Sequence, residues 1–353
     1  GVFGTKGVPA AANVPGARGY STSWIGPEGS LWLFGGLIGP YDEVLWNDLW
    51  KWDGTSWTWV SGSQTPNQYG VYGTKGVPAP TNVPGGRHSG VAWTGTNGDF
   101  WLFGGNGWPE SPVGEMNDLW RWDGTSWTWM SGANDGNVSG GAVSLGVPAP
   151  ENTPAGRVGA AAWVDGNGHF WLFGGTNYSH WQGFDDLWRW DGTYWTWMSG
   201  TLSGGTGGGV HGSLGVSAPE NAPGARYGST SWTDANGSLW LFGGYWPQAG
   251  PLSDLWRWDG RNWTWMSGSP ALSQPGVYGD LGIPAPGNTP GGHYSAASWK
   301  DAQGRFWLWG GVGTDSTGAY GTLLDLWAYE PPVCTPPSAE MTAPDSILEG
   351  SGT

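Results

Sequence analysis

Histidine is the side chain best suited to hold a transition metal or move a proton near neutral pH, and this chain has five: His88, His169, His180, His211 and His293. None stands in an HxH or HxxxH spacing, so no transition-metal site is expected from them. The one cysteine, Cys334 in PPVCTPP, allows neither an internal disulfide nor a cysteine-based metal cluster. No nucleophile elbow, phosphate loop or dinucleotide fingerprint is present, and the many Asp-Gly pairs do not extend into a DxDxDG calcium loop. Asp118, Arg121 and Asp123 return as Asp186, Arg189, Asp191 and as Asp254, Arg257, Asp259. Carboxylates repeated in this way read as structural pairs and turn caps, not as a catalytic acid and base. The expectation is no catalytic residue, no metal and no cofactor.

A second chemistry is stacking on a ligand. Trp46, Trp108, Trp181 and Trp246, with Tyr320, fall in segments that vary along the chain: LIGPYDEVLWN, NGWPESPVGEMN, TNYSHWQGFD, YWPQAGPLS and VGTDSTGAYGTLL. Asp42, Glu43, Glu110, Glu115, His180 and Asp315 accompany them. An aromatic platform with flanking polar groups suits a carbohydrate or a peptide. The plainer alternative is that each loop folds its aromatic back onto its own module.

Those loops hang on a repeat. The second glycines of the WLFGG or WLWGG words are Gly36, Gly105, Gly175, Gly244 and Gly311, a step of 67 to 70 residues, and a fixed period of this size sets the architecture. Each module reads as four short strands, for example SGVAW (89–93), FWLFGG (100–105), DLWRWD (118–123) and SWTWMSG (126–132). All are rich in aromatic or β-branched residues and separated by Gly-containing hairpin turns. No stretch combines helical periodicity with capping signals. The protein is expected to be all-β.

The order Pro-Gly-x-Arg, first strand, Gly-Gly at the end of the second, and Trp opening the fourth resembles the kelch motif, also found in the propeller of galactose oxidase-like proteins. The matching residues are Arg18, Arg87, Arg157 and Arg226, the five Gly pairs, and Trp57, Trp127, Trp195 and Trp263. The resemblance implies a kelch-type β-propeller over residues 1–330, with five visible four-stranded modules of about 69 residues. The fifth module has His293 in place of Arg and lacks its outer strand. The copper site of galactose oxidase-like proteins would need a Cys crosslinked to Tyr, two His and a second Tyr; with Cys334 outside the repeats, that site is not expected.

Of the 32 tryptophans, 27 occupy six recurring module positions. A propeller blade is covered on both faces, so strands such as FWLF are apolar throughout instead of alternating. At ~25 cal/mol/Å² and ~150–250 Å² each, a buried Trp contributes at most about 4–6 kcal/mol. Wide, flat side chains also fill the wedge between blades, and the repeating tryptophans are expected to be inter-blade packing.

With 28 acidic and 13 basic residues and a net charge of -15, the chain offers no basic patch, and nucleic acid is not an expected partner. No apolar run reaches the 18 residues of a membrane span, so no membrane insertion is expected. Gly1 opens the chain without Met or a leader, as a mature piece would. Asn137, Asn177, Asn236 and Asn262 stand in glycosylation sequons. Residues 331–353 read as a Pro-rich linker followed by the first strand of a truncated Ig-like module or a strand-donating tail. The leading expectation is a non-catalytic extracellular or cell-surface interaction or adhesion scaffold binding protein or glycan. A filament subunit assembled head-to-tail through residues 331–353 and the open blade edge is the alternative, and a carbohydrate-active enzyme the third reading.

Overall fold

The computed structural model describes residues 1–39, 44–180, 182–205 and 208–332. Short antiparallel sheets repeat around one axis to make an all-β propeller. Blade 1 is Thr22–Ile25, Leu31–Phe34, Leu49–Trp52 and Trp57–Ser61, paired in that order. Blades 2, 3 and 4 begin at Val91–Thr94, Ala161–Val164 and Thr230–Thr233 and end at Trp127–Ser131, Trp195–Ser199 and Trp263–Ser267. Among the described residues, blade 5 has Ala297–Lys300, Phe306–Trp309 and Leu326–Tyr329.

The inner strand starts two residues later than SGVAW suggests. Ser89 is in the left-handed region at φ 53°, and the equivalent Tyr20, Gly159, Gly228 and Ser295 have φ between 54° and 66°. Their backbones make an axial chain of hydrogen bonds: Ser89 N–H to Tyr20 O at 2.9 Å, Gly228 to Gly159 at 2.8 Å, and Ser295 to Gly228 at 2.8 Å. Linking blades at the axis therefore takes these residues out of strand geometry.

Packing between blades is aromatic. Trp24 of blade 1 stacks on Phe100 of blade 2 at 5.4 Å, and Trp93 stacks on Phe170 of blade 3 at 5.3 Å. Trp232 stacks on Phe306 of blade 5 at 5.1 Å. Three of these inner-strand indoles also find an acceptor, Trp24 Nε1 donating to Trp93 O at 3.1 Å, Trp163 Nε1 to Trp240 O at 3.0 Å and Trp232 Nε1 to Trp299 O at 3.2 Å, whereas the buried Trp93 Nε1 has no partner among the described residues. The pattern stops between blades 5 and 1, where Ile25 is 66%, Leu31 48% and Trp299 45% exposed.

A buried clamp closes each blade. Arg87 donates from both terminal nitrogens to Asp118, each at 2.7 Å, and from Nη1 to Gly104 O. Trp120 Nε1 donates to the same Asp118 at 2.7 Å. Arg157 with Asp186 and Arg226 with Asp254 repeat this bidentate geometry. At the hairpin, Asp123 Oδ1 accepts the N–H groups of Thr125 and Ser126, both at 2.8 Å, which makes it a turn cap.

The Gly- and Pro-rich segments between modules follow one path. Gly76 N–H donates to Trp129 O at 2.7 Å, and Asn82 Nδ2 donates to Trp127 O at 3.1 Å and to Val77 O at 3.0 Å. Asn13, Asn152 and Asn221 do the same in blades 1, 3 and 4. The segment preceding each blade thus holds that blade's outer strand in place.

The axial tyrosine crown

The variable segments are small β-hairpins, not free loops. Asn106–Gly107 pairs with Gly114–Glu115, Thr176–Asn177 with Gln182–Gly183, and Tyr245–Trp246 with Gly250–Pro251; in blade 5, Val312–Thr314 pairs with Tyr320–Thr322. Each also bonds to the residue after the clamp position, as in His88 with Asn106, Val158 with Thr176 and Tyr227 with Tyr245. The hairpins therefore stand as a crown around one end of the axis.

On one side this crown is built of tyrosine. Tyr227 lies 6.1 Å from Tyr178, 5.6 Å from Tyr245 and 6.1 Å from Tyr294, and Tyr245 lies 4.9 Å from Tyr294. The hydroxyls of Tyr294 and Tyr320 are 2.8 Å apart. These residues come from blades 3, 4 and 5, with Tyr227, Tyr245 and Tyr294 half-buried and Tyr178 and Tyr320 exposed. Burial pushes the Tyr227 phenol well above its usual range, and the neighbouring Tyr178 and Tyr294 add to the shift. Burial also raises Tyr294, with Tyr320, Tyr245 and Tyr20 adding to it. These phenols stay protonated through neutral pH and act as hydrogen-bond donors beside apolar ring faces.

Glu115 ties the crown together across blades. It is fully buried; Oε1 accepts the Tyr178 N–H at 2.9 Å and Oε2 the Ser179 hydroxyl at 2.8 Å. Beside the crown, His180, Gln182, Ser203, Gly204, Trp246 and Gln248 line an open groove of about 470 Å³. The Trp246 ring lies against Gly183, so a side chain at that position would displace the ring from the groove wall.

Of the five aromatics expected on the loop face, the four among the described residues do not form one platform. Trp46 is 8% exposed and packs on Phe3, beneath the Arg18 guanidinium at 5.1 Å. It takes the place of Met116, Phe184, Leu252 and Leu323, all buried, so it belongs to the clamp and not to a ligand surface. Trp108 is half-buried with its edge to Tyr69 at 5.1 Å, Trp246 borders the groove, and Tyr320 joins the tyrosine cluster. Trp181, Asp42, Glu43, Cys334 and the tail from 333 lie outside the described residues. Of the sequons, Asn177 is 4% exposed and Asn137 accepts the Glu115 N–H, whereas Asn236 is exposed.

The histidines are dispersed. His211 packs on Trp256 and sits 3.0 Å from Asp254, His169 is 3.0 Å from Asp165, and His88 is 3.0 Å from Ser89 Oγ. Among the described residues, no group of three His, Cys, Asp or Glu side chains is placed to hold a metal ion.

No family model and no curated protein matches the sequence. Solved structures do match the fold. One is described as the structure of YjhT, at 13% identity and a TM-score of 0.50, covering 89% of this chain and 76% of that one. Another is a novel fungal alcohol oxidase with catalytic diversity among the AA5 family, in complex with copper, at 11% identity and a TM-score of 0.41. It is covered over 58% of its length, against 83% of this chain. Such distant likeness reaches the fold alone. The expectation of a non-catalytic interaction or adhesion scaffold is corrected here: the likeness is to a propeller fold alone, and a fold by itself gives no ground for denying catalysis. What this chain is similar to at this distance is a set of β-propeller structures.

Proposed function

We propose that this protein is a carbohydrate-active enzyme on a kelch-type propeller, with its site at the axial tyrosine crown. The observation that carries the reading is the contact cluster Tyr178, Tyr227, Tyr245, Tyr294 and Tyr320, drawn from three blades and presenting ring faces and hydroxyls together. Sugar rings have apolar faces and a rim of hydroxyls, and half-buried tyrosines match both. Phenols kept neutral by burial are fixed donors toward an oxygen that gains negative charge during reaction, a role in which one lost donor typically costs ~10²–10³ in kcat. The groove with Trp246, His180 and Gln182 extends the surface for a second sugar unit.

Proton NMR time courses with a panel of monosaccharides and short oligosaccharides test this proposal. New product or exchange signals that depend on the protein are expected for at least one sugar. A panel left unchanged at high protein concentration would sink it.

A further inference from the structure

All 13 Lys and Arg residues lie among the described residues, and the fold places each of them away from the tyrosine crown or engages it in a buried pair. Each blade is an antiparallel sheet, so the crown hairpin rises from one end and the two tight hairpins turn at the other. Most cations belong to that other end. Lys51, Arg121 and Arg305 pair with Glu28, Asp99 and Asp301 of the hairpins between first and second strands. Arg189 lies over Trp171, whose indole donates to Asp165 of the same kind of hairpin. Arg257 acts on Asp259, which caps the hairpin carrying Arg261, and Lys300 ends the inner strand of blade 5 with its amine on Thr233 O at 3.0 Å. Lys6 and Lys75 lie over Trp59 and Trp129 on the outer strands of blades 1 and 2, whereas the crown tyrosines come from blades 3, 4 and 5.

The remaining guanidiniums are the clamps. Arg157 and Arg226, which precede Val158 and Tyr227 at the axis, are at most 1% exposed and are each neutralised by a bidentate aspartate. Arg18 and Arg87 are held in the same way in blades 1 and 2. Next to Tyr294 the clamp residue is His293, whose two ring nitrogens are engaged by Gly291 O and Asp325 Oδ1. The charges that do stand on the crown hairpins are carboxylates. Glu110 is exposed on that of blade 2, and Asp315, held below the usual carboxylate range by bonds from Thr317 and Ala319, lies on that of blade 5.

We propose that the crown is selective for uncharged sugars and excludes uronic and other sugar acids. The inference rests on the crown being the sugar site. A sugar carboxylate there would lose hydration without gaining a cationic partner. It would also approach against the crown carboxylates and a chain of net charge -15. A neutral sugar meets neither penalty, since its faces lie on the tyrosine rings and its hydroxyls exchange hydrogen bonds with the phenols. The partner suited to a sugar acid is a bidentate arginine, and every arginine of this chain is placed elsewhere.

Saturation-transfer NMR titrations of the full chain at pH 8, where an ordinary imidazole is neutral, test this with glucose, galactose and mannose, each beside its own uronic acid. The neutral member of a pair is expected to bind about tenfold more tightly or better, with the gap narrowing as NaCl rises from about 0.02 to about 0.5 M. Tyr320→Arg, which sets a guanidinium on the exposed edge of the crown, should bring the acid to within a few-fold of the neutral sugar. Equal or tighter binding of the acid by the parent overturns the inference and leaves the crown as a sugar site. A gap that neither salt nor Tyr320→Arg reduces also overturns it. Binding of no sugar, or binding unaltered by Tyr227→Phe and Tyr294→Phe, would overturn the crown reading itself and this selectivity with it.

Discussion

His293 Nε2 lies 3.2 Å from Asp325 Oδ1, at the position where Arg87 grips Asp118 through two bonds of 2.7 Å. Blade 5 therefore keeps the carboxylate and the Trp327 donor but replaces the bidentate guanidinium with a single imidazole contact. Tyr278, whose hydroxyl donates to Asp325, is 44% exposed beside this weaker clamp, whereas Tyr72 beside Asp118 is 4% exposed.

Acid should unlock the clamps. Burial raises the Asp254 carboxyl, but Arg226, His211 and Trp256 outweigh it and hold the group well below the usual carboxylate range. Asp325 is likewise lowered, with burial opposed by bonds from His293, Tyr278 and Trp327. A depressed folded-state value gives stability that is present above the unfolded carboxylate value of ~3.9 and is lost as pH falls below it toward the folded value. Thermal melts from pH 7 to pH 2 should show Tm falling below about pH 4, with a shallower fall in Asp254→Asn.

Not all ion pairs should count equally. Arg87 and Asp118 are buried, whereas the Arg121 side chain, paired with Asp99, is 38% exposed. Arg87→Ala leaves a buried carboxylate without its partner and should cost about 3–5 kcal/mol. Arg121→Ala should cost about 1 kcal/mol or less. Urea unfolding of both variants beside the parent measures the difference, and equal losses would refute the clamp.

Trp93 and Trp299 occupy the same module position, yet Trp93 is 3% and Trp299 45% exposed. Trp93→Ala removes the stack on Phe170 and should destabilise by about 3–5 kcal/mol. Trp299→Ala, at the uncovered face of blade 5, should cost about 1 kcal/mol. A loss at Trp299 as large as that at Trp93 would mean that this face is covered in solution.

The frame was legible because its physics repeats. Gly pairs, clamp arginines and the tryptophans at fixed offsets all reported one blade, and the three strands of blade 5 among the described residues match the three words that the sequence has there. The crown was not legible, because its members occupy positions that the repeat leaves free. The residue after the clamp is Gly19, His88, Val158, Tyr227 and Tyr294 in successive modules. Only the axial geometry brings the last two together with Tyr245 and Tyr178. The signal available was that one position varies between fixed neighbours. Trp46 misled for the opposite reason: it looked like part of a variable loop, but it fills an apolar slot that recurs in every module and is otherwise taken by Met, Phe or Leu.

The most direct measurement is turnover of the saccharide panel by the parent protein and by Tyr227→Phe and Tyr294→Phe, followed side by side by proton NMR. Each change removes a hydroxyl and keeps the ring, so folding is preserved while a donor is lost. The expected result is a fall in turnover of ~10²-fold or more in each variant with an unchanged Tm. Turnover at the parent rate in both would show that the tyrosine crown is not where the chemistry occurs.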